Sequence, residues 1–256
     1  MSNDDEYAEP MHPSRPLYLH ETVDIVGEGA VPYMEESVVG FDAEGIADRG
    51  LTLYGTWYVQ GSTGRWPQVV NVWELIDGWT GWQRLCEATN LKREANTGLS
   101  DWWKQAYERR SGGFDRLMGA LPGSLTLDEI RAQQIRGELF VHEMTEVQPG
   151  AGPEYIRELM KRWAPVRAEY GHRLVGAFEN LMSDTEVCTI WATTLHSHVT
   201  LGRAMDDARG FGTADHPDER LVSWVRYRRN WCTRFREELM IPCPGTPMGP
   251  SEWRTA

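Results

Sequence analysis

Cysteine is scarce in this chain: four in 256 residues, Cys86, Cys188, Cys232 and Cys243, with no Cys-x-x-Cys among them. That excludes a zinc ribbon or a thioredoxin-type redox pair and leaves free thiols suited to a reducing cytosol. Positive charge is also in deficit, with 26 Lys and Arg against 38 Asp and Glu for a net charge of −12. A chain so acidic lacks the cations that neutralise phosphates, so neither nucleic acid nor an anionic membrane surface is expected as a partner. No apolar run reaches the roughly 20 residues of a membrane span, and residues 1–16, acidic and rich in Pro, have neither the basic start nor the apolar centre of a signal peptide. They are expected to be a disordered tail, and the protein cytoplasmic. No glycine-rich phosphate loop follows a strand, since Gly61-Ser-Thr-Gly64 sits where a hairpin turn belongs, and there is no Gly-x-Ser-x-Gly elbow. No bound cofactor or metal is therefore expected.

What is present is a repeat. Leu17-Tyr-Leu-His-Glu-Thr-Val-Asp-Ile25 returns as Leu139-Phe-Val-His-Glu-Met-Thr-Glu-Val147, a separation of 122 positions. The same offset relates His20 to His142, Glu21 to Glu143, Tyr33 to Tyr155 and Trp102 to Trp224; it drifts where loops differ, so that Gly55 matches Gly176 and Trp73 matches Trp191. A period this long signals a duplicated unit.

Within the first unit, residues 17–25 and 51–59 carry β-branched and aromatic residues suited to strands, 69–76 reads as the partner of a hairpin, and 114–121 as a closing edge strand. Helical spacing of apolar residues predicts helices after the first strand, over 79–90 and over 100–110. The order strand, helix, strand, strand, helix, strand is ferredoxin-like. The connection 122–138 holds a short helix capped by Thr126 with Glu129 three residues later. In the second unit Pro165 should kink the first helix, helices are predicted over 201–209 and 217–236, and the last strand over 238–243. The expected architecture is α+β: tandem ferredoxin-like repeats at 17–121 and 139–243, whose two antiparallel sheets face each other as a barrel within one chain, followed by a tail at 244–256.

The segments Met144 to Val147, Pro149-Gly150, Trp163-Ala-Pro165, Tyr170 to Phe178 and Glu186 to Trp191 resemble the NIPSNAP family of the dimeric α+β barrel superfamily, and the first unit matches more loosely through His20-Glu21, Gly55-Thr-Trp57 and Asn71-Val-Trp73. The resemblance implies the fold, and a range of activities that includes cofactor-free monooxygenases, haem enzymes, lyases and decarboxylases. It does not select one, because a shared fold hosts many reactions. Where the family commonly runs Glu-x-Arg-x-Tyr in its first strand, this chain has Thr145 and Val147 after Glu143.

Adjacent strand residues point to opposite faces, so either the histidines or the glutamates of the duplicated pairs face a cavity between the repeats. His20, His142, Glu21 and Glu143 are the candidate acids and bases. Tyr54, Trp57, Tyr58, Trp73 and Trp191 are candidates for an aromatic wall that binds substrate, although core packing explains any one of them equally well. The expected function is an enzyme acting on a hydrophobic, ring-containing small molecule by isomerase, lyase or cofactor-free oxygenase chemistry. A ligand-binding or interaction protein with a filled cavity is the first alternative, a haem protein the second, and pairing as a homodimer is compatible with either. His196-Ser-His198, with His172 nearby in sequence, is only weak evidence for a metal or haem site, since no second cluster of ligands accompanies it.

Overall fold

A computed structural model describes residues 15–43, 49–91 and 97–253. Eight antiparallel strands close into one barrel. In the first half these are β1 (Leu17–Ile25), β2 (Leu51–Val59), β3 (Gln68–Leu75) and β4 (Arg110–Ala120), and in the second β5 (Leu139–Val147), β6 (Arg173–Asn180), β7 (Glu186–Thr193) and β8 (Cys232–Pro242). Around the barrel the order is β1-β3-β2-β8-β5-β7-β6-β4. Each half therefore contributes four adjacent strands in the same order, β4-β1-β3-β2 and β8-β5-β7-β6. The halves meet along two short seams of three residue pairs each, Trp57–Val59 on Met240–Pro242 and Met118–Ala120 on Phe178–Asn180.

Helices cover the outside. α1 (30–43) and α2 (79–91), with α3 (Thr97–Tyr107), pack on the first half, while α5 (152–169), α6 (Leu195–Ala208) and α7 (Glu219–Tyr227) pack on the second. The connection carries α4 (Leu127–Ala132), held by the expected capping box in which Thr126 and Glu129 each bond the other's backbone N–H. Pro165 lies just after a π-helical turn, Leu159–Trp163, that widens α5. A proline removes a backbone donor and crowds the preceding turn, and the wider turn accommodates that.

Three apolar layers result. The barrel interior holds Tyr18, Tyr54, Trp57, Phe140, Phe178, Met240 and their neighbours, and a separate layer lies between each half's outer strand face and its helices. Matching bulges let large rings fill the interior. The strand register shifts between Leu53 and Gly55, and again between Leu174 and Gly176. At each glycine an added Cβ would fall inside the ring of the residue two positions on, 2.3 Å from Trp57 and 2.4 Å from Phe178. The Tyr54 hydroxyl donates to the Val175 carbonyl at 2.7 Å, joining one bulge to the other.

Several expectations need correction. The predicted helix over 217–236 ends at Tyr227, and the final strand starts at Cys232, not Glu238. Leu221, Trp224, Trp231 and Phe235 mimic helical spacing, but from Cys232 the chain pairs with β5 along its whole length. β4 likewise begins at Arg110, and α6 begins at Leu195, capped by the Thr194 hydroxyl. Of the expected N-terminal tail, residues 1–14 lie outside the described residues, whereas Arg15 bonds the Ala120 carbonyl and pairs with Glu179. In the segment after β8, Met248 is buried and Trp253 donates to Glu35 at 2.6 Å. Among the described residues no helix is long and apolar enough to cross a membrane.

Candidate functional site

The barrel interior is not the expected cavity between the repeats. Tyr18, Tyr54, Trp57, Phe140 and Phe178 fill it, none more than 1% exposed. The alternation along β1 and β5 is settled the same way in both copies: histidine inward, glutamate outward. Tyr54 and Trp57 thus belong to the packed interior, while Tyr58 lies half-buried near Trp253.

Inside, His20 and His142 meet across the barrel, Nε2 to Nε2 at 3.0 Å, and His142 Nδ1 lies 2.9 Å from Glu238 Oε1. Burial drives His20 well below its ordinary pKa, with Arg116 and the facing imidazole adding to the effect, so it is neutral at pH 7. Burial would raise Glu238, but the hydrogen bond from His142 and the charge of Arg236 outweigh it and hold the carboxylate low. The protons then follow: His142 donates from Nδ1 to the carboxylate, and His20 donates from Nε2 to the lone pair on His142 Nε2. His20 Nδ1 is left buried without a partner. All three side chains are at most 1% exposed, and neither histidine lines the pockets beneath the helices.

Those pockets form around the outward glutamates. In the first half a cavity of about 350 Å³ lies between the outer face of β1, β3 and β4 and the helices, lined by Glu21, Trp73, Trp102, Trp103, Phe41 and Arg49 among others. Trp73 Nε1 donates to Glu21 Oε2 at 2.8 Å and Asn71 Nδ2 to the same oxygen at 3.1 Å. No donor from the described residues reaches Oε1. Across the strand pair Glu21 faces Asp115. Burial raises the pKa of Glu21 and the charge of Asp115 raises it further, against the two hydrogen bonds and Arg110, which lower it. Arg49 is lowered by burial, and its Nη1 has no partner.

The second half repeats this design and then closes it. A cavity of about 330 Å³ is lined by Glu143, Trp163, Arg167, His198, Arg228 and Glu237 among others. Trp191 Nε1 at 3.0 Å and the Thr189 hydroxyl donate to Glu143 Oε2, while Arg167, 1% exposed, donates to Oε1. Burial would raise Glu143, but the Arg167 charge and these hydrogen bonds prevail and hold it below the ordinary carboxylate value. Its strand partner Glu237 is pushed up to about 7, by burial first and by the charge of Glu143. Trp191 is fully buried under the Arg167 guanidinium, 4.6 Å from its ring centroid. A larger open hollow of about 1030 Å³ between α5 and α7 includes Trp224 of the repeat but none of the candidate acids, bases or wall residues.

Of those residues, the structure therefore brings Glu21 with Trp73, Glu143 with Trp191, and His20 with His142, in three separate places. It adds Arg49, Asp115, Arg167, Glu237 and Glu238. Asp115 and Glu237 are themselves 122 apart, so the repeat carried their signal. For Arg167 there was none, because position 45, its counterpart by offset, is a glycine.

No protein-family model and no curated protein matches the chain. Solved structures do. A Fusobacterium nucleatum protein named as a putative monooxygenase is 9% identical, with 95% of this chain and 100% of that one covered at a TM-score of 0.59. An anthrone oxidase-like protein is 13% identical over 93% of this chain and 97% of its own, TM-score 0.58. A NIPSNAP domain protein from Burkholderia xenovorans matches 43% of this chain and 98% of its own at 16% identity and a TM-score of 0.34. The chain shares the fold of the first two of these structures over nearly its whole length.

Proposed function

We propose that the two halves are copies of one ferredoxin-like unit, and that the first works as a small-molecule enzyme whose site is the aromatic pocket around Glu21. The observation that carries this is the contrast between the copies. Both glutamates receive a tryptophan N–H and a second donor on Oε2; Arg167 occupies the other oxygen of Glu143, whereas Oε1 of Glu21 faces the pocket unbonded. The second copy is a fixed ion pair and the first a titratable carboxyl.

The lining suits a flat, apolar ring system. Phe41 stacks on Trp102 at 4.7 Å, and Trp103 follows edge-on at 4.8 Å. Rings of this kind bind aromatic faces by area and by quadrupole. Arg49, with its unpartnered nitrogen, is placed to hold a carbonyl or phenolic oxygen. Glu21 Oε1, made more basic by burial and by Asp115, takes the proton from the adjacent ring carbon. The enolate that forms either returns the proton elsewhere, an isomerisation, or gives electrons to dioxygen. In the second case a ring methylene and O2 become a ring carbonyl and water, with no organic cofactor. The anthrone oxidase-like neighbour makes tricyclic ring ketones the first substrates to try.

The test is oxygen uptake and absorbance change with such ketones, for the protein and for Glu21→Gln. Turnover that rises with pH through the raised pKa of Glu21 and falls at least about a hundredfold in the variant supports the reading, a loss typical of a general base. Turnover unchanged in Glu21→Gln would end it. The packed barrel interior favours a second reading, a non-catalytic carrier using the same aromatic pocket; tight binding of the ketone without turnover would select it.

A further inference from the structure

The geometry points to a metal site inside the barrel, formed by His20, His142 and Cys188, that takes one late transition ion, copper or zinc. The ligand atoms of these three residues lie within 4.8 Å of one another, and all three side chains are fully buried. The two Nε2 atoms, 3.0 Å apart, are already near the roughly 3.3 Å that separates two nitrogens bound tetrahedrally at zinc distances. Two imidazoles and a thiolate are the donors such ions prefer over magnesium or calcium.

Three further features fit. Metal-bound histidines characteristically donate their other ring N–H to a carboxylate, and His142 does so to Glu238 at 2.9 Å. His20 Nδ1 has no partner, so this imidazole can shift its proton from Nε2 to Nδ1 and free Nε2 for the ion. A divalent ion is neutralised by the Cys188 thiolate together with the Glu238 carboxylate, as a buried charge requires. Met144 faces Cys188 across the β5–β7 pair and shares the same interior cluster. Its thioether is a fourth donor that favours copper.

Uptake converts the Cys188 thiol to a metal thiolate and releases that proton to solvent, one per divalent ion. Because the thiol must lose its proton to bind, affinity increases with pH. Access is through the barrel end beside Met144, where a hollow of about 130 Å³ is flanked by Arg116 and Arg236. Glu146 and Glu186 line the same hollow and pair with Arg234 and Arg116, but the ligand atoms are fully buried, so loading is best done during refolding.

The experiment refolds the full chain with cobalt(II), as a coloured substitute for zinc, and separately with copper(II), then desalts it. One retained ion per chain, a thiolate-to-metal charge-transfer band and a higher Tm are expected. Cys188→Ser, close in shape to the native residue, should abolish the band, and Glu238→Gln should weaken affinity about 10- to 100-fold. His196→Asn with His216→Asn, both exposed on the surface, should change neither. No retained ion, a band that persists in Cys188→Ser, or binding lost with the surface pair instead would overturn the proposal. Copper retention weakened in Met144→Leu assigns Met144 as a fourth ligand; retention unchanged leaves the ion to His20, His142 and Cys188. His142→Gln should abolish retention of the ion; should it fail to fold, the wild-type spectrum and Cys188→Ser decide.

Discussion

Replacing Arg167 by methionine removes a guanidinium that is 1% exposed and leaves Glu143, itself 3% exposed, without its cation. Methionine fills most of the volume, so the loss is mainly electrostatic. Arg167 donates to Glu143, lies 3.4 Å from Glu237, and covers the Trp191 ring at 4.6 Å. Breaking a buried pair by removing one partner costs about 3–5 kcal/mol, because the remaining charge is stranded. The sign with pH follows. Glu143 is held below its ordinary value in the native protein, so the pair's contribution is present above the unfolded carboxyl pKa and fades as pH falls through the folded one. In Arg167→Met the Glu143 pKa moves up, so the deficit is largest at neutral pH and shrinks on acidification. Denaturant unfolding at several pH values measures it, and Glu143→Gln made in the same background should recover much of the loss. A deficit below about 1 kcal/mol, independent of pH, would refute the claim that this pair is a buried, structural one.

Gly55→Ala should lower stability by about 1–3 kcal/mol in thermal or denaturant unfolding, since the new methyl overlaps the Trp57 ring at 2.3 Å. Tyr54→Phe removes the 2.7 Å bond to the Val175 carbonyl, which keeps the Leu125 N–H as a donor, and should cost about 0.5–1.5 kcal/mol by the same measurement. Glu237, raised to about 7 by burial and by Glu143, contributes stability that is full below its unfolded pKa and lost as pH rises through 7. Melting temperatures of Glu237→Gln should therefore decline less than those of the wild type between about pH 5 and 8.

Much of the fold was legible because the duplication is written in the strands: β1 and β5 begin and end 122 residues apart, as do β4 and β8. Applied to β8, that offset would have corrected the false helix over 217–236. The site was less legible. Both faces of β1 and β5 are largely buried, so alternation could not decide between His20 and Glu21, or between His142 and Glu143. The filled interior depends on how far Tyr18, Trp57 and Phe178 reach across the barrel, a matter of side-chain volume and of the bulges at Gly55 and Gly176 that periodicity does not express. Trp73 and Trp191 were recognisable as aromatic lining; their role as N–H donors to the outward glutamates follows only from the register of β3 on β1 and β7 on β5. Cys188 looked inert in sequence, 46 residues from His142, and becomes a neighbour of both histidines only when the barrel closes.

The most direct measurement is the carboxyl carbon shift of Glu21 followed against pH by NMR, in the free protein and with a tricyclic ring ketone bound. A midpoint above the ordinary glutamate value of about 4.3 and above that of Glu143, displaced by the ketone at Glu21 alone, is the expected result. A Glu21 midpoint at or below that value, or a ketone that perturbs Glu143 and leaves Glu21 unmoved, would contradict the assignment of the first pocket as the site.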